Sequence, residues 1–259
     1  MEFDALIAAG GLANRLGDLP CSKEIFPIVG QFTNDRTKVV CENLIEYYKT
    51  AGIKNIHFVI RKGKWDIPQL LGDGSSNGVN ISYNIMNLPF GTPFTLDQAY
   101  PFIKDKNIAM GFPDIIMKPI NAFKIIKEKL LKGKADIVLG LFPVKKYWKW
   151  DMIDFDGDKI KDIVIKGKRS DLKYGWSIAV WRPSLTEFMH EYLKKLIKSN
   201  EKGSRILSDG SEREMYVGDI FIEAMKNGLT SDYVIFKDGF TIDIGTHDDM
   251  KEHLKSTIK

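Results

Sequence analysis

The sequence predicts an α/β protein built on a doubly wound, mostly parallel central sheet, and three observations carry that prediction. Short apolar, β-branched runs alternate along the chain with segments whose apolar residues recur at helical spacing. The run at 136–142 (DIVLGLF) is strongly apolar, as a strand buried on both faces must be. The run at 4–9 stops abruptly at Gly10-Gly11 and opens into a loop of small residues. Such a junction presents bare backbone N–H groups to an anion.

Each element follows in turn. The first strand and its loop, which carries Arg15 and Lys23 and closes at Pro27, lead to a helix over 37–51 with Gly52 as its C-terminal glycine. A strand at 55–60 is rich in β-branched and aromatic residues. A short helical piece surrounds 65–71, and a strand follows at 80–85 after the turn-rich GDGSSNG. Residues 95–102 read as helical. A strand at 107–110 runs into GFPD and leaves Asp114 just past its end. The helix over 119–131 has Ile120, Phe123, Ile126 and Leu130 as its apolar positions. Beyond Pro143 the texture turns β-rich: a hairpin forms around Asp156-Gly157-Asp158, and 176–181 is a further strand. Ser184 is placed as the N-cap of a long helix over 184–198. The polar stretch 200–211 reads as a mobile surface loop, and a helix over 216–227 ends at Gly228. Runs at 233–236 and 240–242 close the sheet. Thr246 then starts a terminal helix with Asp248 and Asp249 in its first turn.

Composition narrows the classes. With 44% apolar and 28% charged residues over 259 positions, the chain is an ordinary globular one. No run approaches about 18 consecutive apolar residues, so no membrane span is expected. The N-terminal stretch lacks the basic and long apolar parts of a secretory signal, and the expected location is cytoplasmic. The net charge of +4 is spread thinly, without the dense basic block that nucleic acid would need. Cys21 and Cys41 alone make no disulfide framework.

GGLANRL is neither a P-loop nor a dinucleotide fingerprint, because its spacing fits neither. Its wider context is more specific. Gly10, Gly11, Arg15, Leu16, Lys23 and Pro27 resemble the signature of the sugar-1-phosphate nucleotidylyltransferases of the glucose-1-phosphate thymidylyltransferase type, GG-x-G-x-R-L followed by K-x-x-x-P. Further along, PFGTPFTLDQA resembles that family's base-facing segment, and GFPD stands at its G-D motif. VIKGK stands at its E-K-P, YVGDIFIEAMKNG at its T-D-V-N helix, and GFTIDIGTHDDM at its W-x-D-x-G-T-x-x-x-L ending. The resemblance runs from Leu6 to Leu254.

The resemblance implies a Rossmann-like nucleotidyltransferase fold with a β-rich sugar-binding insertion, as one domain over 1–259. Residues 1–143 would mainly bind nucleotide, and 144–259 would mainly bind sugar phosphate and close the fold. Ala9, Gly10 and Gly11 with Arg15 would hold a nucleoside triphosphate. Lys23 would support the phosphates near the reacting α-phosphorus, and Asp114 and Asp243 would bind Mg²⁺. Met86, Gly91 and Thr92 fall on the base side, while Lys166 (at the sugar phosphate) and Trp176 fall on the acceptor side. The implied reaction, of the EC 2.7.7 type, joins an NTP to a sugar or polyol 1-phosphate by in-line displacement. A homo-oligomer is compatible with this reading; nucleic acid and membrane are not expected partners.

That chemistry needs charge neutralisation more than a general base, because a sugar 1-phosphate is already ionised. Two like charges 4 Å apart repel by about 4 kcal/mol at an effective dielectric of 20. Cations at Arg15, Lys23 and Lys166, with Mg²⁺, offset that repulsion.

The chain departs from the family at positions that face substrate. Ala13 replaces a loop glycine, and Met86 stands where thymidylyltransferases carry a base-reading glutamine. Ile165 and Gly167 replace the Glu and Pro that flank the lysine, and Trp150-Asp151 replaces a Tyr-Gly pair. These departures raise an alternative, a catalytically silent sugar-nucleotide-binding regulatory protein on the same fold. Bland readings also stand: Asp114 and Asp243 as turn residues, Lys166 as a solvated lysine, the tryptophans as packing. Asp219 is read as a first-turn helix residue and His57 as packing.

Overall fold

The computed structural model describes residues 2–11, 19–33, 36–86, 91–157, 159–167, 169–199, 205–206, 212–245 and 249. In chain order the elements are β1 (Phe3–Ala9), β2 (Pro27–Thr33), β3 (Arg36–Val39), α1 (Val40–Thr50), β4 (Asn55–Arg61) and α2 (Asp66–Leu71). Next come β5 (Asn80–Met86), α3 (Thr92–Asp97), α4 (Tyr100–Ile103), β6 (Asn107–Gly111), β7 (Ile115–Lys118), α5 (Ala122–Lys132) and β8 (Ile137–Pro143). The chain continues through β9 (Met152–Asp156), β10 (Lys159–Val164), β11 (Tyr174–Trp181), α6 (Pro183–Ser199), β12 (Arg205–Ile206) and β13 (Glu212–Arg213). It closes with α7 (Val217–Lys226), β14 (Ser231–Ile235) and β15 (Phe240–Asp243).

Parallel pairing joins β6, β1, β4 and β5 into one block and β14 with β8 into another. β11 runs antiparallel between β6 and β8 and stitches the two blocks into a single mixed, mostly parallel sheet. The β9–β10 hairpin hangs from the start of β11 through the pairing of Gly175 with Met152.

Strand alternation sorts the core into two layers. Ala5, Ile7, Phe58, Ile60 and Val180 pack with Leu44, Tyr48, Ile67 and Phe123 of α1, α2 and α5. Leu6, Val59, Met110, Leu139 and Ala179 pack with Phe94, Ile103, Leu185, Met189 and Phe221 of α3, α4, α6 and α7. Each fully buried Val, Leu, Ile, Phe or Met among them contributes roughly 1.5–3 kcal/mol. Among the described residues, no helix is long and apolar enough to cross a membrane.

Several boundaries differ from expectation, each for a local reason. The segment from Thr37 does not start as helix. Residues 36–39 pair with β2, and α1 begins at Val40, where Glu42 accepts the Val39 N–H at 2.9 Å. The helix expected over 95–102 begins at Thr92 and breaks in two near Ala99. The helix over 119–131 begins only at Ala122, and Ile120 is 46% exposed rather than core. Residues 115–118 are drawn instead into a ribbon with β15, so β15 does not close the main sheet. Ser184 is no N-cap: Pro183 takes the first helical position, and the Ser184 hydroxyl donates to Asp136 Oδ1 at 2.6 Å. Most of 200–211 and the start of the terminal helix at Thr246 lie outside the described residues. Asp249 accepts from Lys146 at 2.9 Å and from Lys149 at 2.6 Å.

Arg182 ties the C-terminal carbonyls of α5 to β11. Its guanidinium donates to Ala135 O at 2.9 Å, Leu130 O at 2.7 Å and Gly133 O at 3.0 Å. Arg182→Ala is expected to lower unfolding free energy in urea by about 1.5–3 kcal/mol. Arg182→Lys, which lacks the planar fork, should recover only part of it. An unchanged midpoint for the alanine variant would contradict this role.

Candidate active site

The carboxyl ends of β1, β5 and β6 open on one edge of the sheet, where parallel sheets gather ligands. Because β11 runs the other way, its first residues reach the same edge. Between them lies a cleft of about 430 Å³. Gly10, Gly11, Lys23, Met86, Gly91, Thr92, Asp114, Lys166, Trp176 and Asp243 all line it. Ala9 does not: alternation along β1 turns its side chain into the core, fully buried, and Ala8 faces the cleft instead. Arg15 lies outside the described residues.

Two carboxylates define one end. Asp114 follows Pro113 just past β6, and Asp243 ends β15 opposite Ile115. The Ile244 N–H donates to Asp114 O at 2.9 Å, which brings the two residues side by side. A side-chain carbon at Gly245 would stand 2.7 Å from Asp243 Oδ1 and 3.6 Å from Asp114 Oδ2, so both carboxylates face one small volume. Lys23 Nζ sits 2.6 Å from Asp114 Oδ2, and the Gly245 N–H donates to Asp243 Oδ1 at 2.6 Å. Burial, then the Asp114 charge, pushes the Asp243 carboxyl above its ordinary range; the Gly245 N–H and Lys23 oppose this. Burial works against the Lys23 charge, but Asp114, Glu24 and Asp243 outweigh it and hold that ammonium above the usual lysine value.

Lys23 is fixed from both sides. The Ser22 N–H and hydroxyl donate to Asp66 at 2.6 and 2.7 Å. Glu24, fully buried, takes both contacts of Lys64 Nζ at 2.8 and 2.7 Å. Burial raises the Glu24 carboxyl and lowers the Lys64 ammonium, so each needs the other to stay charged.

On a second wall Met86 ends β5. Thr95 Oγ1 donates to its sulfur at 3.2 Å, and a side chain at Gly10 would collide with that sulfur. Gly91 has φ +114° and bridges to Met215; a Cβ there would lie 2.5 Å from Met215 O, so the close approach requires glycine.

The opposite wall is aromatic and cationic. Lys166 holds a positive φ of 38°, a strained conformation for a side-chain-bearing residue. Its N–H donates to Asp151 Oδ1 at 3.2 Å, and its ammonium stands 3.7 Å from the centre of the Tyr216 ring. Arg213 lies 4.7 Å from the same ring and is clamped by Asp219 at 2.7 and 2.8 Å. Asp219, which also accepts the Tyr216 N–H at 2.9 Å, is thus a first-turn helix residue that orders this wall. Trp181 packs in the core and donates to Thr186 at 2.9 Å, whereas Trp148 is 54% exposed. Trp176 is both core and wall. His57, between Asp4 at 3.1 Å and Ser82 at 2.7 Å, is not among the cleft residues. Sequence reasoning missed Lys149, Tyr216 and Glu214 as lining residues; the aromatic-basic stretch Trp148-Lys149-Trp150 was the available signal for the first.

Asp114 and Asp243 form the hard-oxygen pair that suits Mg²⁺, which takes one or two carboxylates from protein and completes its shell with phosphate and water. A carboxylate has lone pairs enough to keep Lys23 and accept a cation as well.

The family model described as nucleotidyl transferase matches residues 4–259. A low-salt glycan biosynthesis nucleotidyltransferase of Haloferax volcanii is 32% identical over 116 residues, 44% of this chain and 30% of that relative. The chain thus spans less than a third of that relative's length. A glucose-1-phosphate thymidylyltransferase of Neisseria meningitidis is 21% identical over 95% of this chain and 80% of its own. Among solved structures, a Bacillus anthracis protein assigned as a glucose-1-phosphate thymidylyltransferase, in complex with sucrose, superposes with a TM-score of 0.81 at 20% identity, covering 98% of this chain and 95% of that one. A UDP-glucose pyrophosphorylase complexed with UDP-glucose gives 0.77 at 17% identity, covering 100% and 99%. At these identities the structures establish a shared fold.

The pair beneath Lys23 generates a stability test. Lys64→Met leaves Glu24 buried and unpaired and is expected to cost about 3–5 kcal/mol in chemical denaturation. The double variant Glu24→Leu/Lys64→Met should recover most of that loss. Additive losses in the double variant would contradict the pairing.

Proposed function

The chain belongs to the nucleotidyl transferase family, and from that premise we propose that it joins a nucleoside triphosphate to a sugar or polyol 1-phosphate with release of pyrophosphate. The observation that carries this reading is the convergence of Asp114, Asp243 and Lys23 beside Gly10-Gly11, facing a second cationic wall at Lys149 and Lys166. The relatives described as thymidylyltransferases and the neighbour described as a pyrophosphorylase support it.

In this reading the backbone at Gly10 and Gly11, with Arg15, receives the triphosphate, and Lys23 stands at the phosphate under attack. The acceptor phosphate lies at Lys166, its body against Trp150, Trp176 and Tyr216. The two phosphates are thereby held for an in-line approach, which lowers the barrier by orientation. No side chain needs to remove a proton, because the attacking oxygen is already ionised. Asp114 and Asp243 would hold Mg²⁺, which when bound supplies positive charge to the reacting phosphates and the leaving pyrophosphate. Residues 1–143 then form the nucleotide half and 144–259 the acceptor half of one unit. The Met86 thioether, only a weak acceptor, gives a base no amide to pair with.

Pyrophosphate release from a matrix of the common NTPs against sugar and polyol 1-phosphates, with Mg²⁺, tests the reading. At least one pair should turn over, and EDTA should abolish it. Asp114→Asn and Asp243→Asn should each lower kcat/KM by about 100-fold or more without lowering the melting temperature. Full activity in both variants would overturn the metal assignment. Ligand-induced thermal stabilisation with no turnover anywhere in the matrix would make the protein a silent sugar-nucleotide binder.

A further inference from the structure

The acceptor wall holds a donor and an acceptor that the reaction above leaves unused. Trp176 is 2% exposed, lines the cleft, and its indole N–H is buried without a hydrogen-bond partner. Buried polar groups are nearly always paired, so an orphan donor on a cleft wall points to a missing ligand atom. Next to it stands Asp151, also lining the cleft. The Trp176 backbone N–H donates to the Asp151 carbonyl at 3.2 Å, which locks the two residues together. The indole is near enough to favour the Asp151 carboxylate yet completes no hydrogen bond with it.

The carboxylate is held in place. Its Oδ1 accepts the Lys166 N–H at 3.2 Å, from the residue whose backbone is strained at φ +38°. Its Oδ2 packs against Gly218, 2.8 Å from where a Cβ would stand, in a niche that it shares with Ile165 Cδ1. Phe112, with its ring centre 5.5 Å from that of Trp176, adds a further apolar surface. Burial pushes the Asp151 carboxyl up to about 6, while the Lys166 charge and N–H work against that rise. The Lys166 N–H donated to Oδ1 favours the ionised, accepting form of this carboxylate.

We propose that Asp151 and Trp176 together bind one hydroxyl group of the acceptor and so determine which sugar or polyol phosphate is used. The inference rests on the transferase reading above and adds to it a substrate class and two specificity residues. An ionised carboxylate only accepts and an indole N–H only donates. A hydroxyl does both, and so completes both partners at once. A deoxy carbon satisfies neither group. The site therefore selects a hydroxyl over the deoxy analogue at the same carbon.

The test uses the full chain with the α-D-glucose, α-D-galactose and α-D-mannose 1-phosphates, their monodeoxy analogues, the common NTPs and Mg²⁺. In the wild type, loss of one particular hydroxyl should lower kcat/KM by about 100-fold or more, as in sites built to pair a substrate hydroxyl. Asp151→Ala and Trp176→Phe should each weaken use of the hydroxylated acceptor and shrink that discrimination to about fivefold or less. Discrimination at the other carbons should persist, and melting temperatures would show that both variants fold. Asp151→Asn, which keeps one acceptor oxygen, should fall between wild type and Asp151→Ala. If both variants retain the full wild-type discrimination at every carbon, this inference fails and the transferase reading stands. If the wild type turns over no member of the panel, the transferase reading fails for these sugar phosphates and the inference fails with it.

Discussion

Two carboxylates aimed at one small volume of a half-enclosed cleft repel each other, and the rest of this site depends on how that repulsion is met. Asp114 and Asp243 are brought together by backbone, through the β7–β15 ribbon and the Ile244 N–H, so the two residues cannot separate without breaking main-chain bonds. Like charges at such range cost several kcal/mol at an effective dielectric near 20. Lys23 meets part of this cost at 2.6 Å from Asp114, while burial, and after it the Asp114 charge, keeps the Asp243 carboxyl raised. A site left short of positive charge is one suited to a cation arriving with phosphates.

The elements that break the sheet's regular pattern are the ones that build the cleft. A purely parallel sheet would bring only strand ends and following loops to its carboxyl edge. By running antiparallel, β11 sends Trp176 to that edge while Trp181, at its other end, stays in the core. The β7–β15 ribbon leaves the main sheet altogether, and that departure sets Asp243 beside the chain that follows β6. Under the loop, Asp66 and Lys64 hold the residues on either side of Lys23. An ammonium held in this way loses little entropy on meeting a ligand, which is the structural content of preorganisation.

Much of this was legible in the sequence. Alternating apolar runs and helical periodicity located β1, β4, β6 and β8, because buried strands leave a strong apolar pattern, and turn residues bounded β5 and the hairpin at 152–164. Gly10-Gly11 marked the end of β1, and GFPD placed Asp114 past β6. Two ribbons were not legible: β3 and β7 have four residues each, too few for a period to separate strand from turn or helix start, and although the run at 240–242 reads as a strand, nothing local assigns it to β7 rather than to the main sheet. That Ala9 points into the core while Ala8 faces the cleft was not legible, because the two residues are identical and only pairing decides which one looks inward. Asp151 registered only as a departure from a family pattern, since its role depends on contacts with residues 15 and 67 positions later. Trp176 shows the same limit: an apolar strand position predicts burial, and nothing local says that its N–H is left unpaired.

The central claim is that Lys23, Asp114 and Asp243 form the triphosphate end of the cleft. A crystal structure with Mg²⁺ and a non-hydrolysable nucleoside triphosphate tests it most directly. The account expects the phosphates over the Gly10 and Gly11 N–H groups, the metal on both Asp114 and Asp243, and Lys23 Nζ within hydrogen-bond distance of a phosphate oxygen. A nucleotide bound elsewhere, or phosphates that leave both carboxylates without a metal, would contradict it.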